Sequence, residues 1–162
     1  MTRKDLFTTI ETINIWTAKR LAESIIHCTK FDGKEDIVVA VLGADGRILC
    51  LEKSGNNPLP ISDSWAFKKA RTALAFGAST KKLYMEKPNL NVGSEYCKTP
   101  GGILIPSSKW SGWLDNSSEE ISEDGEIAPF SGAIGVSGRS SKEDHILAVS
   151  GLKDFIKLLK RE

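Results

Sequence analysis

The segment Ile37-Val38-Val39-Ala40-Val41-Leu42 and the turn after it constrain this chain more than any other feature. The run is short, apolar and rich in β-branched residues, which predicts a buried strand. Ala44-Asp45-Gly46-Arg47 comes next, and Ile48-Leu49-Cys50-Leu51 resumes the extended pattern. Asp and Gly tolerate the positive φ of a tight connection, so two runs around Asp45-Gly46 predict a β-hairpin. A hairpin pairs its strands antiparallel. No regular alternation of strand and helix comes after it, so a doubly wound parallel sheet is not expected.

Helical periods flank this hairpin. Ala18, Leu21, Ala22, Ile25 and Ile26 recur at three and four, between Lys19, Arg20 and Glu23. With Asn14 as N-cap and Gly33 beyond the last turn, the spacing predicts a helix over about 15–30. Ser62 or Asp63 can cap a second helix running through Trp65, Ala66, Lys69, Ala70 and Ala73 to Phe76, stopped by Gly77. Its alanines imply a neighbour packed close. A short helix from Ser79-Thr80 ends before Pro88. Ile103-Leu104-Ile105 reads as a strand closed by Pro106, and residues 131–138 read as another. In that strand Ile134 and Val136 face one side, and Ala133, Gly135 and Ser137 the other. Ser141-Lys142-Glu143-Asp144 resembles a capping box before a last helix through Leu147, Leu152 and Phe155. Gly151 interrupts that helix, which suggests close packing there. Residues 107–128 are acidic and poor in apolar side chains; they read as a surface excursion with Trp110 and Trp113 as anchors. The whole is a single α+β domain over 1–162.

Composition narrows the function classes. The chain has 162 residues, of which 40% are hydrophobic and 27% charged, so it can bury a core. Lys and Arg number 22 against 21 Asp and Glu, a net charge of +1. Gripping nucleic acid needs a clear basic excess, so that role is not expected. No apolar run is long enough to span a membrane. The three cysteines, Cys28, Cys50 and Cys97, are widely spaced and form no CxxC pair. With no apolar leader at the start of the sequence, they suggest a reducing, cytoplasmic setting.

Chemistry-bearing residues are few, and each carries two readings. His27 lies near a helix C-terminus, where the dipole favours a protonated ring; it is also the candidate axial ligand for a haem iron. Lys69 sits among alanines, either as a snorkelling side chain or as a cationic pocket wall that meets a carboxylate. Glu143 and Asp144 stand in a first helical turn, where carboxylates are stabilised; the alternative is general acid–base work. Gly132, Gly135 and Gly138 either let a helix or a subunit approach or let a flat ligand lie on the strand. Pro100-Gly101-Gly102 is either a turn or a set of exposed N–H groups for an anion. No dinucleotide or phosphate-loop motif is present.

Three stretches carry a family resemblance. Ala66-Phe67-Lys68-Lys69-Ala70-Arg71-Thr72-Ala73-Leu74-Ala75-Phe76-Gly77 resembles the KA-x-TA-x-x-F helix of the GlcG/HbpS-like proteins. Pro100-Gly101-Gly102-Ile103 resembles the family's glycine-rich segment before a strand. Gly132-Ala133-Ile134-Gly135-Val136-Ser137-Gly138, with Asp144 and Ala148-Val149-Ser150-Gly151-Leu152, resembles its GAIGVSG ending. The resemblance implies a profilin-like α/β/α fold around a five-stranded antiparallel sheet. It also implies homo-oligomers, some of whose members bind haem. Where the family passes almost directly from one strand to the next, this chain inserts 107–128.

The leading expectation is a homo-oligomeric binding protein for haem or another planar or anionic ligand, with no nucleic-acid or membrane partner. Its site would be lined by His27, Lys69, Gly101, Gly102, Gly135, Ser137, Trp110 and Trp113. A small-molecule enzyme is the alternative, with Lys69 holding a carboxylate and Asp144 or Glu143 moving a proton. A ligand-free scaffold is the third reading.

Overall fold

The computed structural model describes residues 10–31, 36–55, 61–107, 130–159 and 161. Helix α1 spans Ile15–Cys28, and a 3-10 turn comes next over Thr29–Phe31. Strands β1 (Ile37–Gly43) and β2 (Ile48–Ser54) form the hairpin. Helices α2 (Ser62–Phe76) and α3 (Thr80–Glu86) come after it. Strands β3 (Gly102–Pro106) and β4 (Phe130–Ser137) and helix α4 (Ser141–Leu159) complete the described chain.

The strands form one sheet in the order β2-β1-β4-β3, antiparallel at every pairing. This corrects the implied five-stranded sheet: four strands are present among the described residues. At one edge β3 stops at Pro106, which has no N–H to extend a ladder. The turn-rich stretch before β3, with Pro88, Gly93 and Pro100, forms no strand. The expected insertion at 107–128, with Trp110 and Trp113, lies outside the described residues except for Ser107. Among the described residues no helix is long and apolar enough to cross a membrane.

Helices cover both faces, which is why β1 reads as an unbroken apolar run. Val39 and Val41 point to α1 and α4, in one cluster with Leu21, Ile25, Ile134, Val136 and Leu152. Leu42 points to the other face, with Ala70, Ala73, Leu104 and Ala133, and Val38 and Ala40 meet Ala66 there. Each large apolar side chain buried this way stabilises the fold by about 1.5–3 kcal/mol. Ile134 and Val136 thus face opposite to Ala133, as strand alternation predicts.

The α2 side is packed by backbone more than by side chains. Ala40 on β1 pairs with Gly135 on β4, and Gly135 pairs with Gly102 on β3. This row of small residues crosses three strands, and α2 lies directly on it. A Cβ at Gly135 would run into the Ala66 carbonyl oxygen and stand 2.8 Å from the Ala70 nitrogen. One at Gly102 would meet the Lys69 carbonyl. The alanines of α2 and the glycines of the strands are two halves of one close contact.

Helix ends differ from expectation in detail. Asn14 caps α1 as expected, its side chain accepting from Thr17 N at 2.8 Å. Helix α2 has Ile61 at its N-cap with no side-chain bond, so neither Ser62 nor Asp63 caps it. Asp63 instead pairs with Lys53 of β2 at 2.7 Å. Gly77, at φ 64°, ends α2 as expected. At α4 the cap falls one residue earlier than Ser141: Ser140 Oγ accepts from Glu143 N at 3.3 Å. Gly151 does meet close packing, since a Cβ there would collide with Ile25 of α1.

Candidate functional site

Two places gather the residues with chemistry. The first is the end of β4 nearest α4. Lys69 projects from α2 past Gly101, and its Nζ donates to Asp144 Oδ2 at 2.8 Å and to the Val136 carbonyl at 3.0 Å. The other carboxylate oxygen of Asp144 accepts from Arg139 N at 3.0 Å. Lys69 is 3% exposed and Asp144 1%, so the pair is sealed from bulk water. Burial pushes the Asp144 carboxyl above its ordinary value, and the Lys69 ammonium and the Arg139 N–H pull part of that back.

The glycines make room for this lysine. Gly101 has φ 129° and its carbonyl accepts from Val136 N at 2.9 Å. A Cβ at Gly101 would lie 3.0 Å from both Cδ and Nζ of Lys69. Thr80 Oγ1 accepts from Gly102 N at 2.9 Å and fixes the start of β3. Ser137, 8% exposed, pairs with Val38 at the end of β4. Lys69, Asp144, Gly101, Gly102, Gly135 and Ser137 therefore do gather at neighbouring positions on α2, β3, β4 and the start of α4. Glu143 is exposed beside them. What the cluster offers chemically is an internal ion pair: two Lys69 N–H groups are committed, and the carboxylate it meets belongs to the chain.

The second place is a groove of about 550 Å³ between α1 and the C-terminal half of α4. His27 lines it, with Arg20 and Glu23 from α1, Asp154, Phe155 and Lys157 from α4, and Arg161 beyond that helix. The Arg20 guanidinium lies 5.8 Å from the Phe155 ring centre. Cys28, next along α1, donates from Sγ to Asp154 Oδ2 at 3.6 Å. Burial pushes its thiol up to about 11, and the Asp154 carboxylate adds to the effect. An imidazole and three cations line this groove together with the carboxylates of Glu23 and Asp154, and Phe155 is 5% exposed there. The groove's volume lies within the usual span of small-molecule sites.

These places are separate. Asp144 and Asp154 are ten residues apart on α4, about 15 Å along the axis at the usual helical rise. His27 and Lys69 thus do not share a site. The cations around His27 escaped the sequence reading, although a partial signal existed: Arg20 and His27 are seven apart on α1, a spacing that keeps residues on one helix face. Trp110 and Trp113 lie outside the described residues.

Solved structures share this fold. A double mutant of HbpS from Streptomyces reticuli is 22% identical and superposes with a TM-score of 0.70, covering 94% of this chain and 92% of that one. The Klebsiella pneumoniae protein ORFY is 17% identical with a TM-score of 0.73, at 97% coverage of each chain. PduOC, solved as a complex with haem, is 19% identical with a TM-score of 0.64, covering 87% of this chain and 93% of that one. No curated protein matches the chain significantly. The family model described as haem degrading protein HbpS-like matches residues 13–153, and the chain belongs to that family.

Proposed function

We propose that this chain is a small-ligand-binding protein whose ligand is haem or a similarly flat, anionic molecule, held in the groove between α1 and α4. One observation carries the reading: His27 shares a groove of about 550 Å³ with the Phe155 ring and the cations Arg20, Lys157 and Arg161. That donor set fits haem. The His27 imidazole would bind the iron, and Arg20 and Arg161 would pair with the propionate carboxylates, beside Glu23 and Asp154 in the same lining. The family membership and the haem complex of one fold neighbour support the same ligand class. Bound haem would supply a redox-active iron; Arg20, Lys157 and Arg161 would orient the ligand's anionic edge, and His27 would hold the iron.

Lys69, Asp144, Gly101, Gly102, Gly135 and Ser137 take a different role in this proposal. They are the tie that locks α2 and α4 to the sheet, because the Lys69 ammonium is satisfied by Asp144 and Val136 within the fold. The working unit is a homo-oligomer, a reading supported by apolar side chains left on the outside, among them Trp16 at 73% and Ile48 at 52% exposure.

Haem titrated into the purified protein tests the reading. A Soret band shifted from that of free haem, saturating at a fixed stoichiometry and altered by His27→Ala, is the expected result. A free-haem spectrum at stoichiometric protein, or an identical shifted band in His27→Ala, overturns it. Native mass spectrometry of the same sample reads the oligomer count.

A further inference from the structure

The two edges of the sheet differ. At one, β3 is buried along most of its length and ends in Pro106. Thr80 Oγ1 of α3 accepts from Gly102 N beside it at 2.9 Å. At the other, β2 runs seven residues, and among the described residues β1 is its one strand neighbour. The outer row of β2 backbone N–H and C=O groups therefore points away from the sheet. Leu51 pairs with Ala40 and Ile48 with Leu42, so both side chains lie on the α2 layer. Helix α2 does not reach over them: Leu51 is 41% exposed and Ile48 52%. Lys53, the kind of cation that guards an open edge, is held by Asp63 at 2.7 Å.

We infer that β2 is a pairing edge whose occupant is β2 of a second copy, joined antiparallel about a twofold axis at Leu51, a reading that rests on the homo-oligomer proposed for this chain and names its surface. A row of N–H and C=O groups at strand spacing is matched by another extended backbone. A strand laid antiparallel on its own copy makes an isologous contact, the same patch on both subunits. Leu51 is the midpoint of Ile48–Ser54, so an axis there gives the longest overlap. The hairpin bulge falls between Cys50 and Ile48, at the turn end, clear of Leu51. This register sets Leu51 beside its counterpart and Cys50 opposite Glu52. One residue along, Glu52 would face its own copy, and like charges directly opposite are destabilising. Joined in this way, two sheets become one continuous sheet, and each exposed Leu51 is covered by the other.

The test uses the full-length protein. Sedimentation velocity over a concentration series should show an oligomer in the parent. Leu51→Arg sets two cations on the axis and should raise the dissociation constant at least tenfold. Its far-UV circular dichroism should match the parent's, since the side chain is exposed. Leu51→Cys, made with Cys50→Ser to leave a single thiol on β2, should form a disulfide between copies under mild oxidation. Residues directly opposite on antiparallel strands have Cα atoms about 4.5–5.5 Å apart, within disulfide reach. Ile48→Cys in the same background should stay unlinked, because its copy lies at the far end of the pairing. Assembly of Leu51→Arg equal to the parent's, or no cross-link in Leu51→Cys, overturns the β2 interface and leaves an oligomer built elsewhere. Equal cross-linking at Ile48→Cys overturns the axis at Leu51. A parent that is monomeric throughout overturns this interface and the homo-oligomer together.

Discussion

Replacing Lys69 by Met measures what the buried pair contributes. Methionine keeps most of the aliphatic stem beside Gly101 but removes the ammonium, leaving Asp144, 1% exposed, with the Arg139 N–H. Breaking a buried pair by deleting one partner costs about 3–5 kcal/mol, because a desolvated charge loses its compensation. For a domain of this length each kcal/mol lowers the midpoint by about 2–4 °C, so a fall of roughly 6–20 °C is expected. Urea unfolding at pH 7 reads the free energy directly. Adding Asp144→Asn should recover part of the loss. The amide keeps an oxygen for Arg139 N and brings donors for the Val136 carbonyl, so the double variant should be more stable than Lys69→Met alone. The pH dependence comes from the same geometry. Burial raises the Asp144 carboxyl above its ordinary 3.8, so the folded chain binds that proton more tightly than the unfolded chain does. Stability from such a group is fully present below the unfolded value and is lost as pH rises through the folded one. Without the Lys69 cation the folded value rises further, so the penalty of Lys69→Met should shrink as the solution is acidified. A loss below about 1 kcal/mol, the level of an exposed pair, refutes the reasoning. So does a double variant whose cost is the sum of the two single ones.

Gly135→Ala should be more harmful than an ordinary glycine replacement, because its methyl group meets the α2 backbone, which has no rotamer to change. Overpacking of that kind costs about 1–3 kcal/mol, and a melting midpoint equal to that of the parent would contradict the packing. Cys28 and Cys50 are both pushed up to about 11, chiefly by burial, so a thiol reagent should modify them slowly at pH 8 and faster through pH 9–11. Mass tagging at each cysteine checks this, and labelling at pH 8 as fast as that of free cysteine would refute it.

Most of the architecture was legible because it rests on local periods. The α1 stripe, the Asp45-Gly46 hairpin, the Gly77 stop and the α4 period each depend on residues a few positions apart. The strand count was not legible in that way; five came from resemblance, and four are described. The cap of α4 slipped by a residue because Ser140 and Ser141 offer rival oxygens, and α2 has no side-chain cap because Asp63 is drawn to Lys53 of β2. Lys69 and Asp144 stand 75 residues apart, and no local pattern joins them. Their pairing depends on α4 starting just beyond the end of β4, a fact of topology.

The glycines of β4 show how far residue spacing reaches and where it stops. Gly132, Gly135 and Gly138 recur every third residue, whereas a strand repeats every second. They therefore cannot share one bare face. Gly132 lies on the Ile13 and Ile105 side, Gly135 lies under Ala66 and Ala70, and Gly138, at φ 130°, turns the chain beside Asp36. Each answers a different neighbour, and spacing alone does not name the neighbour. For Gly135 it is the backbone of α2, reached because Ala40 and Gly102 flank it in register on the two adjoining strands. The lysine entering that contact passes Gly101 and emerges at the strand end, where Asp144 receives it. The same close approach that makes the KA-x-TA-x-x-F helix recognisable thus commits the Lys69 ammonium to Asp144, and the groove lined by His27 lies on the opposite layer of the sheet.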